Sequence, residues 1–97
     1  MIRHVTIFSW VPEATEEAKQ AVADRLGALP PLMTGLVAFT CGADAGLVEG
    51  NGDFAVVADF EDGASYFGYR DHPAHQDVVR NVTGPITRER RTIQFSH

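Results

Sequence analysis

Cysteine is nearly absent from this chain: Cys41 stands alone. No internal disulfide can form and no thiolate cage can hold a metal, so a reducing cytoplasm is the expected setting. Cys41 closely follows Phe39 in a strand-like run, where a buried, inert thiol is the ordinary role. Basic residues are scarce as well. Eight Lys and Arg stand against thirteen Asp and Glu, for a net charge of −5. That balance gives no basic face for nucleic acid. The one basic run, Arg88, Arg90 and Arg91, reads as the solvated start of a strand, with a phosphate or carboxylate clamp as the alternative. No apolar run approaches membrane-spanning length, so no membrane partner is expected. Met1-Ile2-Arg3-His4 enters strand pattern directly, without a charged-then-apolar leader. Repeats, linkers and low-complexity stretches are also missing, and residues 1–97 are expected to form one domain.

What is present alternates strand and helix signals. Ile2 to Val11 is rich in Val, Ile, Thr, Phe and Trp and predicts a strand ended by Pro12. Thr15 to Leu29 predicts a helix. Thr15 can cap it, Glu16 and Glu17 suit the positive end of its dipole, and Val22, Leu26 and Leu29 recur at helical spacing. Pro30-Pro31 stops it. Gly35 to Gly42 and Asp53 to Phe60 predict two more strands around a glycine-rich connection. Asp62 opens a short helix carrying Ser65, Tyr66 and Tyr69. Pro73 suits the first position of a further helix reaching about Val82. Thr92 to Ser96 predicts the last strand, and His97 is expected to be disordered. The order β-α-β-β-α-β, with its second helical unit broken in two, is that of a ferredoxin-like α+β sandwich.

The strands add a second expectation. An antiparallel sheet covered on one face should alternate apolar and polar residues. Here both faces are apolar: Ile2, Phe8 and Trp10 against Val5 and Ile7; Leu36 and Ala38 against Val37 and Phe39; Phe54, Val56 and Phe60 against Ala55 and Val57. Helices can cover one face, and nothing in the chain remains for the other. A homodimer with two sheets packed face to face, a dimeric α/β barrel, is the economical arrangement.

The densest chemistry lies in Tyr69-Arg70-Asp71-His72-Pro73-Ala74-His75. Two histidines and a tyrosine that close together are costly to bury without partners. They lie on a surface or line a small polar pocket. The motif Tyr69-x-x-His72-Pro73-x-His75, with Ile2-Arg3-His4-Val5, Leu29-Pro30 followed by Gly35, and Phe60-Glu61-Asp62, resembles the Dabb family of stress-responsive dimeric α/β-barrel proteins over nearly the whole chain. The resemblance implies a ferredoxin-like protomer and a dimer built by sheet packing. The best-understood relatives are plant polyketide cyclases, which close a ring in a linear poly-ketone by aldol condensation. Their catalytic pair corresponds to Tyr69 and His75, and a histidine lining the same pocket corresponds to His4. Two positions depart from those enzymes. Phe54 stands where they carry a histidine, and Ala23 falls near a tyrosine of their first helix, so the pocket must differ.

The chemistry is coherent without a cofactor. Histidine is the natural base for a carbon acid, because its ordinary pKa lies near working pH. His75 falls in the first turn of its helix, whose positive end favours a neutral ring. The Tyr69 phenol can donate to an oxygen that becomes negative. His4 could orient His75 or bind a carbonyl. Phe8, on the same strand side as His4, together with Phe54 and His72, completes the candidate substrate contacts; His72 can equally cap its helix. A three-histidine metal site from His4, His72 and His75 is geometrically open, but the metal-free reading is preferred. The ligand class is a hydrophobic, carbonyl-rich small molecule. The alternatives are a non-catalytic stress-responsive dimer and a cofactor-free quinol-type monooxygenase, in which Trp10 would matter.

Overall fold

The computed structural model describes all residues, 1–97. Four strands, β1 (Ile2–Trp10), β2 (Leu36–Ala43), β3 (Phe54–Phe60) and β4 (Thr87–Ser96), form one sheet in the order β2-β3-β1-β4. All three pairings are antiparallel. Helices α1 (Glu16–Gly27), α2 (Gly63–Asp71) and α3 (Pro73–Val78) supply the helical layer. This is the ferredoxin-like α+β fold. No helix is long and apolar enough to cross a membrane.

Local signals set the helix starts. Thr15 caps α1 by accepting from the Ala18 amide at 3.1 Å, and Asp62 caps α2 by accepting from Ser65 N–H at 2.8 Å. Gly35 adopts φ +78°, and a Cβ there would collide with the Ser65 side chain, so the turn into β2 needs glycine. The core lies between sheet and helices. Val22, Val56, Phe60 and Val78 are fully buried in it, each contributing roughly 1.5–3 kcal/mol of apolar burial.

The structure revises several sequence expectations. A register shift between Leu36 and Ala38 changes which face each β2 side chain takes. Leu36, Phe39 and Cys41 pack on the core, while Val37 and Ala38 are exposed. Simple alternation groups Leu36 with Ala38 instead. The last strand begins at Thr87, five residues before the expected start, because Arg90 and Arg91 pair with Phe8 and Ile7 of β1. The helix from Pro73 is also shorter than expected. It passes at Val79–Thr83 into a π-helical turn and then a 3₁₀ turn over Gly84–Ile86. His97 is placed rather than loose: its Nε2 lies 3.1 Å from Asp59 Oδ1. Arg3 faces the same carboxylate across the ladder with bonds of 2.8 and 2.9 Å, which hold Asp59 at a pKa of about 2.

The sheet face away from the helices is apolar and open. Ile7, Val37, Ile93 and Phe95 are each 43–58% exposed. Val5 and Val57 are cross-strand partners at its centre.

Candidate active site

The inner face of β1 carries His4, Thr6 and Phe8. β4 places Gln94, Thr92 and Arg90 directly opposite them. Tyr66 and Tyr69, three residues apart on α2, lie over these strands from the helical layer. His72 ends α2 in an extended conformation, as a residue before proline prefers, and its Nδ1 accepts from the Ala74 amide at 3.0 Å to start α3. That bend folds His75 back onto Tyr69, with ring centroids 4.3 Å apart. A cavity of about 110 Å³ remains between the two layers, lined by His4, Thr6, Tyr66, Tyr69, His75 and Arg90 among others.

The hydrogen bonds define the proton positions. Arg70 O belongs to the last turn of α2, where carbonyls lack helical partners. It accepts from His75 Nδ1–H at 3.0 Å and from Gln76 Nε2 at 2.6 Å. The His75 proton is thereby fixed on Nδ1, and the Nε2 lone pair is left free. Burial is the first cause that lowers the His75 pKa, ahead of the opposing bond to Arg70 O, so the ring is neutral. The helix terminus invoked from sequence is not needed for that result.

His4 is held differently. Gln94 Nε2–H donates to its Nδ1 at 2.9 Å, and its Nε2–H donates to Thr6 Oγ1 at 2.9 Å. Both nitrogens are occupied, and neither bonds His75. Burial, followed by the charges of His75 and Arg90, pushes the His4 pKa down to about 4. Tyr69 is 3% exposed, and burial raises its pKa, keeping the phenol protonated. No buried side-chain N or O atom lacks a partner, yet the Tyr69 hydroxyl bonds no protein group, so it opens on the cavity. Both rings thus line one cavity, each with a polar group that bonds no protein group: the His75 Nε2 lone pair and the Tyr69 hydroxyl.

His4, Tyr69, His75 and Phe8 come together around this cavity. Phe54 lies outside its lining and packs with Trp10 and Phe8. His72 lies outside it too, beside a surface groove near Leu32 and Ser65. His72 therefore does not join His4 and His75, and no group of three or more His, Cys, Asp or Glu side chains is placed to hold a metal ion. The sequence reading missed Thr6, Tyr66 and Thr92, and it preferred a solvated Arg90 to an anion clamp. Alternation from His4 pointed to Thr6, and helical spacing from Tyr69 pointed to Tyr66. Nothing local separates Arg90 from its exposed neighbours.

Known proteins agree with this architecture. A dimeric ferredoxin-like protein of unknown function from Thermobifida fusca is 35% identical, with a TM-score of 0.92 covering 99% of this chain and 90% of that one. A Dabb family protein from Mesorhizobium loti is 21% identical, with a TM-score of 0.80 over 99% of this chain and 95% of its own. A hydroxynitrile lyase from Passiflora edulis shares the fold at 12% identity and a TM-score of 0.82, covering 97% and 90% of the two chains. No curated protein matches the chain in sequence. The model of the stress-responsive A/B barrel domain matches residues 2–97, and the chain belongs to this Dabb family.

Proposed function

We propose that this protein is a cofactor-free acid–base catalyst acting on a small carbonyl compound. His75 Nε2 takes a proton from carbon beside the carbonyl, and Tyr69 Oη–H donates to the oxygen that gains charge. One observation carries the reading: His75 Nδ1 is tied to Arg70 O, leaving Nε2 bare beside an unpartnered phenol. His4, with both nitrogens engaged, positions Thr6 and holds the strand face in place rather than moving protons. Aldol-type ring closure of a poly-ketone uses the same two roles. The cavity, about 110 Å³, admits only the reacting end of such a chain.

The protein acts as a homodimer in this proposal. The exposed Ile7, Val37, Ile93 and Phe95 on the outer sheet face support it. So does the Thermobifida fusca relative, which is described as dimeric.

Deuterium exchange at C2 of methyl acetoacetate, followed by NMR, tests the chemistry with no net reaction. The step moves one proton from carbon to His75 and returns a deuteron, so atoms balance. His75→Ala is expected to lower the protein-dependent rate by about 10²- to 10⁴-fold. Equal rates for wild type and variant would remove His75 as the base.

A further inference from the structure

We propose that the cavity takes a carbonyl compound that also bears a carboxylate, and that the Arg90 guanidinium holds that anion. This rests on the acid–base reading above and names the substrate class of the same site.

The charge inventory carries the argument. The chain has a net charge of −5, yet no Asp or Glu lines the cavity, and two arginines do. Arg70 is committed elsewhere. It bonds Asp71 at 2.9 and 3.2 Å and lies 4.8 Å from the Phe67 ring centre. Arg90 has no carboxylate within ion-pair distance; Glu89, its neighbour in sequence, pairs with Arg91. Arg80 and Arg88 are also unpaired, but neither lines the cavity. Arg90 is therefore the one cation that reaches the cavity without an internal anion.

Its placement fits the chemistry. Arg90 sits opposite Phe8, one pair along the β1–β4 ladder from Thr6 and Thr92. Its positive charge is felt at both His4 and His75 and disfavours their protonation. A guanidinium offers a planar fork of donors and no acceptor, which matches a carboxylate with two parallel bonds. An apolar cavity of about 150 Å³ holds benzene. On that scale the volume here, about 110 Å³, encloses roughly four or five heavy atoms. That takes the carbonyl and the acidic carbon, with the carboxylate reaching out to Arg90, which lines the cavity and is exposed. A bound carboxylate also offsets the Arg90 field, which makes His75 a stronger base once the ligand is seated.

The test is an NMR titration of the full chain with acetoacetate, methyl acetoacetate and inorganic phosphate, following His75 and Tyr69 signals. Wild type is expected to prefer the acid over its ester by about tenfold or more. Arg90→Gln is expected to bring that preference to about one, and Arg90→Lys to keep an intermediate preference, since it retains charge without the fork. Equal binding of acid and ester by wild type overturns the inference, as does an unchanged preference in Arg90→Gln. Phosphate competing as well as acetoacetate overturns the carboxylate assignment. If the ester shifts His75 and Tyr69 as strongly as the acid, the acid–base reading stands and only this inference fails. If neither ligand shifts them, both fail.

Discussion

His4 gives a quantitative handle on how the cavity is held together. The ring is 7% exposed, bonded to Thr6 and Gln94, and has a pKa of about 4 against an ordinary 6.5. A folded-state pKa below the unfolded one means that the unfolded chain binds the proton first as pH falls. The stabilisation is complete above about pH 6.5 and is lost progressively down to about pH 4. Each pH unit in that window removes about 1.4 kcal/mol, so the full loss is on the order of 3 kcal/mol. At roughly 4–8 °C per kcal/mol for a domain of this size, Tm falls by roughly 12–24 °C. His75 contributes in the same direction, because its pKa is also lowered. Asp59 does not interfere in this window; it loses its stabilising charge only as pH falls from 3.8 toward about 2. The assay is urea or thermal unfolding at fixed protein concentration between pH 7 and pH 4, with NMR titration of the His4 ring. His4→Gln keeps a donor and an acceptor at the site and is expected to flatten the pH dependence. A His4 ring titrating near 6.5, or identical slopes for wild type and His4→Gln, would refute the reasoning.

Other consequences are equally open to measurement. Tyr69→Phe keeps the ring and removes the donor, so exchange at C2 of methyl acetoacetate should slow by about 10²-fold with the fold intact by circular dichroism. The exchange rate of wild type should rise with pH to a plateau, with its midpoint below the ordinary histidine value of 6.5, because the neutral His75 ring is the active form. Ile7→Asp and Ile93→Asp place charge on the open sheet face, and sedimentation or light scattering should show association weakened by about tenfold or more. Gly35→Ala strains a backbone at φ +78° against Ser65 and should cost more than about 1 kcal/mol in urea unfolding.

Much of the architecture follows from the sequence alone. Capping residues Thr15 and Asp62, the stops at Pro12 and Pro30, and strand runs rich in β-branched and aromatic residues fix element order through local energetics that need no distant partner. The two-faced apolar strands already imply a second face that leaves water. Tyr69 and His75 are legible as a pair because six residues and one proline bend bring them together. Tertiary structure alone decided the rest. The β2 register shift, the early start of β4 and the place of Arg90 depend on pairing with strands far away in sequence. The same holds for His4, whose bond to Gln94 spans 90 positions. Composition and spacing state which groups are available; only the folded sheet sets which nitrogen is occupied, which is free, and which cation is left without an anion.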